Sequence, residues 1–390
     1  MPHTLHEADP RRVGLEEAAD RIRLQARAVA ADNERDRRLT PELIDALRDS
    51  GLMRCGAPET LGAAQAPPAL SLECAETIAR GDAATGWCVS IALTSSLLAA
   101  YLPEKGAAET LGDPRAIAAG VWAPRAKARP VDGGVVVSGR WSFCSGITHA
   151  DHFFGGCVLD GGSGDKDGAP TLRAVGIPTA QLRIVDTWHT SGLRATGSHD
   201  AVAEDVFVPA HRVLALDGGP LIDAPLYRFP IYGYFALSIA AAALGNARGA
   251  IDDLMDLAGH KVATGSRRSL AEKPATQAAV GQAEAALRAA RAFFYSAIDD
   301  AWQAACTGET VTLGLRTGLR LAAAHAARTS AEVVRAMYDL GGGSAIYDSS
   351  PLQRRFRDAT TATAHLQVSP ATWETTGRIL LGVPTRVAQL

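Results

Sequence analysis

The feature that most constrains this chain is a change of hydrophobic period along it. From Gly14 to about Gly112 apolar residues recur at helical spacing. Between about Asp113 and Val208 they gather into short β-branched runs, and from about Tyr227 the helical spacing returns. The order is helices, strands, helices. Thr40 reads as an N-cap, Pro41 as a first helical position and Gly51 as the residue past a helix end. The strand runs are Val135–Val137, Phe153–Leu159, Arg173–Ile177 and Ala201–Val208, separated by glycine- and proline-containing turns. Asp132-Gly133 marks a hairpin, because Asp-Gly supplies the positive φ angles of a tight primed turn. Gly161 to Gly168 reads as an exposed, mobile loop, while Gln277–Ala305 and Leu313–Leu340 are each long enough to form one side of a bundle. The expected fold is α+β and mostly α. It has a helical part over 1–112, a β part over 113–225 and a helical bundle over 226–390, with no internal repeat or linker between them.

Several function classes fall away. The 390 residues can bury a large core, and a net charge of −3 without any Lys/Arg run gives no field to gather nucleic acid. The six cysteines are scattered, with neither C-x-x-C nor zinc-like histidine spacing, so no metal site is expected and the thiols read as reduced, as in a cytoplasmic protein. Met1–Arg12 is polar, and the longest apolar stretch, around Ala236–Leu244, is too short to cross a bilayer, so neither export nor membrane insertion is expected. The chain has no G-x-G-x-x-G, no phosphate-loop lysine motif, no H-E-x-x-H and no G-x-S-x-G.

Three segments carry a positive signal. Val131–Asp151 contains W-S-F-C-S-G, Thr187–Pro209 reads TWHTSGLRATGSHDAVAEDVFVP, and Leu340–Gly382 holds GGGS, PLQRRFRDA, His365 and GRILLG. Together they resemble the acyl-CoA dehydrogenase superfamily, and more closely its oxygenase branch, the two-component flavin-dependent monooxygenases. The resemblance implies a helical N-terminal subdomain, a β-barrel-like middle and a C-terminal four-helix bundle. It also implies flavin contacts from Trp122, Trp141, Ser142, Phe143 and Ser145, since a flavin needs donors at its N5 edge and an apolar wall over its ring. Gly341, Gly342 and Gly343 match glycines that approach the flavin of a neighbouring subunit. Arg267 or Arg268 follows the helix ending near His260, where the family has a phosphate-binding arginine, although the R-x-x-F-G string is absent. The plainer alternatives are that Trp141 and Phe143 are core aromatics, that the glycines cap a helix, and that His365 is a core helix histidine.

A dehydrogenase of this family needs a glutamate over the flavin. Neither Ala359–Ser369 nor Ala224–Ile251 contains a carboxylate; Glu374, further along, keeps that reading open. His365 stands in the first place instead, where an imidazole suits oxygenase chemistry. The resemblance then implies reduced flavin (FMNH2 or FADH2) from a separate NAD(P)H-dependent flavin reductase, and O2 adding at flavin C4a. Ser145, by hydroxyl or backbone N–H, would be the donor at N5, and His365 the acid/base. The acceptor is an aromatic or heteroaromatic small molecule, hydroxylated on carbon or oxygenated at N or S. Trp87, Thr94, Tyr234 and His365 are the substrate-site candidates, each aromatic having a core alternative; Thr94-Ser95-Ser96 stands where phenol hydroxylases of the branch carry a further histidine. A dehydrogenase or oxidase, and a catalytically silent binding protein, stay open as alternatives. By the same resemblance the chain is expected to form a homotetramer through C-terminal helices with Ala-rich faces, Ala283–Ala292 and Leu321–Ala327.

Overall fold

A computed structural model describes residues 10–161, 170–262 and 265–390; the loop expected over Gly161–Gly168 lies, apart from Gly161, outside them. Five helices come first: α1 (Pro10–Asp36), α2 (Pro41–Ser50), α3 (Pro68–Gly81), α4 (Ala83–Ser96) and α5 (Glu104–Leu111). Seven strands follow: β1 (Ala118–Val131), β2 (Gly134–Trp141), β3 (His152–Leu159), β4 (Leu172–Pro178), β5 (Arg183–Val185), β6 (Asp200–Pro209) and β7 (Val213–Leu214). Six helices close the chain: α6 (Pro225–Arg228), α7 (Ile231–His260), α8 (Pro274–Thr307), α9 (Leu313–Gly341), α10 (Pro351–Ala362) and α11 (Ala371–Leu380).

The strands form one sheet in the order β5-β6-β2-β1-β3-β4-β7. β1 pairs antiparallel with β2 and parallel with β3. Sequence patterning misses β1, because Pro124 and Pro130 interrupt it and its residues are largely alanine and arginine. The ladder to β3 shifts register between Val121 and Ala126, so Pro124 falls where no ladder hydrogen bond is required. The β1–β2 hairpin turns at Asp132-Gly133 as expected, but only Gly133 has positive φ (75°), so it is not the primed turn that needs both. Thr40 and Gly51 bound α2 as read, although the Thr40 hydroxyl caps nothing and its own N–H is taken by Asn33 Oδ1 at 2.8 Å.

α7 runs between α3 and α9, with α8 and α10 against α9. Close approach is bought by glycine: a Cβ at Gly245 would lie 2.1 Å from the Glu76 carbonyl oxygen, and one at Gly86 2.4 Å from Ala79 Cβ. α4 touches α3, α7 and β1, and with the turn to Tyr101 it is long and apolar enough to cross a membrane, yet that stretch is 94% buried. It exceeds the Ala236–Leu244 run; its interspersed threonines and serines hide this from a simple reading. Ala322–Ala324, Ala326 and Ala327 of α9 are buried under the chain's own helices, so this face is not free for a second copy as expected from Leu321–Ala327. On α8, Ala285, Ala286, Ala289, Ala292 and Phe293 face outward.

Candidate active site

Between β2 and β3 the chain makes a tight turn through Phe143, which is 72% exposed and held at φ +65°, and Gly146 at φ +76°. A phenylalanine in left-handed backbone carries strain that glycine would not. Ser142 lies half-buried beside it. The turn is laced to the loop before β6: Gly146 N–H donates to Thr196 O at 2.9 Å and Cys144 N–H to His199 O at 3.2 Å. Ser145 N–H is spent on Phe143 O at 2.9 Å, so only the hydroxyl of this residue faces other groups. Below the turn His149 is buried, and burial, helped by the Arg48 guanidinium, pushes its imidazole down to about 4.

The Ser145 hydroxyl sits in a small polar network. Trp87 Nε1–H donates to it at 3.1 Å, Ser198 Oγ lies 2.7 Å away, and Thr196 Oγ1 is 2.6 Å from Ser198 Oγ. Thr196 Oγ1 in turn donates to Leu193 O at 2.8 Å. Leu193 is a junction: at φ +51° it is buried, its carbonyl also accepts Trp188 Nε1–H at 2.9 Å, and its N–H donates to Asp358 Oδ1 at 2.6 Å. Burial and repulsion from Asp82 raise the Asp358 carboxyl to about 7, against the pull of that N–H. Trp188 meets Phe143 edge-on at 6.0 Å.

His365 arrives from the other side. It caps a single 3-10 turn after α10 and does not stand within a helix, as the plainer alternative had it; its Nδ1 accepts the Gln367 N–H at 3.3 Å. The proton of the neutral ring is thereby assigned to Nε2. Its ring stands 5.6 Å from that of Trp87 at 73°. Burial, and then the Arg320 guanidinium, lower its imidazole to about 4, well under the range expected for an acid/base at neutral pH. Arg320 of α9 is itself buried, which brings it down to about 10. Among the described residues it bonds only to oxygens of Gln367 and Tyr232, its Nε has no partner and no carboxylate pairs with it. Trp87 thus joins two residues far apart in sequence, Ser145 and His365.

β1 and α7 carry an aromatic wall, linked to Arg320 through the Tyr232 carbonyl. Trp122 stacks on Phe235 at 5.1 Å and 2°, and Tyr232 meets Phe235 edge-on at 6.0 Å. A Cβ at Gly120 would come within 3.0 Å of the Trp122 ring and 3.1 Å of Ser95 Oγ, a buried hydroxyl without a partner among the described residues.

Other sequence candidates go elsewhere. Trp141 is fully buried and donates to Gly156 O at 2.8 Å, its ring in the slot left by Gly155, so it is a core aromatic. Tyr234 is likewise core, its hydroxyl on Ser71 Oγ at 2.5 Å, whereas its neighbour Tyr232 is half-buried and Phe235 is buried against Trp122. Thr94 is buried and bonds back to Ser90 O and Ile91 O, both at 3.0 Å. Gly341 ends α9 with its carbonyl on Lys261, and Gly342 at φ +50° caps the helix, the plainer reading of that string; Gly343 is exposed, with open space where a Cβ would stand. Arg267 is exposed in the segment between α7 and α8, and Glu374 is exposed on α11. Sequence reading missed Thr196, Ser198, Phe235 and Arg320. The Thr-Gly-Ser string alone hinted at the first two.

Residues 15–110 match the family described as acyl-CoA dehydrogenase, N-terminal domain, and residues 237–370 match acyl-CoA dehydrogenase, C-terminal domain. The chain is 36% identical to an indole-3-acetate monooxygenase of Pseudomonas putida over 91% of its length and 90% of that protein's. It is 30% identical to the flavin-dependent monooxygenase oxygenase subunit HsaA of Rhodococcus jostii, covering 87% of this chain and 91% of that one. Among solved structures, 3-HSA hydroxylase from Rhodococcus sp. RHA1 superposes with a TM-score of 0.89 at 27% identity, over 96% of this chain and 99% of that one. XiaF from Streptomyces sp., in complex with FADH2 and glycerol, gives 0.89 at 26% identity, over 97% and 98%. The chain therefore belongs to the acyl-CoA dehydrogenase family and, within it, to the flavin-dependent monooxygenases, oxygenase components that work with reduced flavin and O2.

Proposed function

We propose that this oxygenase acts on a planar bicyclic heteroaromatic substrate of the indole type carrying an acidic side chain, with Ser145 toward the flavin and His365 toward the substrate. The observation that carries the reading is Trp87, whose indole N–H binds Ser145 while its ring abuts His365, so that one side chain couples the two ends of the site.

The residues fit a flavin. The exposed ring of Phe143, set edge-on to Trp188, offers an apolar face beside the Ser145 hydroxyl, and Arg267 and the Gly341–Gly343 end of α9 remain our candidates for its phosphate and ring on a neighbouring copy. Bound reduced flavin supplies the electrons that activate dioxygen. The chain's own groups do the rest. The buried hydroxyls of Ser145, Thr196 and Ser198 form a polar floor shielded from water, and Trp122 stacked on Phe235 provides a flat wall for an aromatic ring. His365, neutral with its proton on Nε2, donates a hydrogen bond to oxygen arriving at, or leaving, the substrate. Arg320, a buried guanidinium with no carboxylate partner among the described residues, supports a substrate that brings an anion, as the relative named for indole-3-acetate does. A separate reductase delivers the flavin, and the outward alanine face of α8 is the contact we propose for a homotetramer.

The test mixes the protein with anaerobically reduced FMN or FAD, then with isotopically labelled O2 and a panel of indole acids, indoles and phenols. One labelled oxygen atom in an indole-acid product is expected. Dye reduction with an acyl-CoA and no labelled product overturns the proposal.

A further inference from the structure

The polar network around Ser145 has only one consistent direction, which follows from counting protons. Three short oxygen–oxygen contacts run in series: Ser145 to Ser198 at 2.7 Å, Ser198 to Thr196 at 2.6 Å and Thr196 to the Leu193 carbonyl at 2.8 Å. Each needs one proton between its oxygens, and only the hydroxyls of Ser145, Ser198 and Thr196 can supply one. The Leu193 carbonyl has none, so Thr196 donates to it. Ser198 must then donate to Thr196, and Ser145 to Ser198. The single proton of Ser145 is committed inward. Its backbone N–H is committed as well, to Phe143 O. Of its two lone pairs one receives the Trp87 indole N–H, which leaves one lone pair and no donor for anything bound beside it.

An outward group that can only accept selects a ligand that donates. Reduced flavin carries a hydrogen on N5, whereas oxidised flavin presents a lone pair at the same atom. A lone pair facing a lone pair forfeits the hydrogen bond and adds repulsion. We propose that Trp87, Ser198 and Thr196 are positioning residues that fix Ser145 as an obligate acceptor, and so make this chain choose the reduced over the oxidised flavin. An enzyme that keeps oxidised flavin resident needs the opposite polarity at that atom. The Leu193 carbonyl that sets the direction is itself held: the Leu193 N–H is anchored on buried Asp358, a residue remote from the turn in sequence.

The inference rests on the reading that Ser145 meets the N5 edge, and binding can separate the two. The wild-type chain and its variants are titrated anaerobically with FMN and FAD, each oxidised and dithionite-reduced, and the ratio of the two dissociation constants is the readout. In wild type the reduced form binds tighter. Ser198→Ala removes the acceptor for the Ser145 proton, which can then turn outward, and the ratio falls about tenfold, mainly by tighter binding of the oxidised form. Thr196→Val, which lets Ser198 redirect its own proton, falls in the same sense, and Thr196→Ser restores the wild-type ratio. A merely structural role weakens both oxidation states together and is not rescued that way. If Ser145→Ala changes the ratio while Ser198→Ala and Thr196→Val leave it at the wild-type value, the polarity inference is overturned. If Ser145→Ala leaves both affinities unchanged, the placement of Ser145 at the flavin fails, and the inference with it. Far-ultraviolet circular dichroism and a thermal melt of each variant establish that it is folded.

Discussion

At His365 two effects act in one direction, since burial and the Arg320 guanidinium both disfavour an imidazolium. The ring is therefore neutral at pH 7, and in the proposed reaction it acts as a neutral donor. His365→Ala is expected to lower product formation about a hundredfold while reduced-flavin-dependent oxygen consumption continues as peroxide release, measured by product assay against an oxygen electrode. Arg320→Met should raise KM for indole-3-acetate about tenfold or more and leave KM for indole itself near wild type; parallel changes would reduce Arg320 to a holder of the Gln367 turn. Asp358 gives a pH signature. Its folded value of about 7 exceeds the 3.8 of an unfolded carboxyl, so its protonation favours the fold at low pH and that contribution is lost as pH rises toward 7. Asp358→Asn keeps a neutral group, and its stability relative to wild type should improve by about 2.5 kcal/mol between pH 5 and pH 8, by urea unfolding. Ser145, Trp87 and His365 could be named as candidates from sequence because each stands in a recognisable string, and the structure brings them together through Trp87. Arg320 was not, because an arginine within an amphipathic helix looks like any solvated one until its burial is known.

Helices were the most readable elements. α8 and α9 end within a few residues of the expected 277–305 and 313–340, since long periodic patterns override local ambiguity. β1 escaped, because its strand character comes from the ladders on either side of it and its prolines argue against it. Tyr234, a substrate-site candidate in the sequence, lies in the core through helical phase: a shift of one residue rotates a side chain by roughly 100° about the axis, and its neighbour Tyr232 is only half-buried. The same geometry makes the glycines decisive. Gly245→Ala places a methyl 2.1 Å from the Glu76 carbonyl oxygen, where α3 and α7 cannot separate without loosening their contact. A loss of about 2 kcal/mol or more in a denaturant titration is expected, whereas Gly281→Ala, with open space around it on α8, should be neutral or mildly stabilising.

Across the whole molecule the site is shared among parts distant in sequence. Trp87 comes from the first helices, Ser145 and Ser198 from loops of the sheet, and His365 from the closing helices. This is why motifs scattered over nearly the full length carried one signal, and why none sufficed alone. The outward face of α8 is the surface on which the proposed assembly depends. Phe293→Asp, 41% exposed in the single chain, should lower the mass seen by light scattering, and an unchanged mass would place the contact elsewhere. The burial of the Ala83–Tyr101 stretch has a further consequence during synthesis. Its cover includes α7, which begins at Ile231, so the segment leaves the ribosome well before the helix that shields it exists. At about 5–20 residues per second that interval is on the order of ten seconds. For that time the nascent chain displays a segment with the length and hydropathy of a membrane span, and its exposure to aggregation ends only once α7 has formed and covered it.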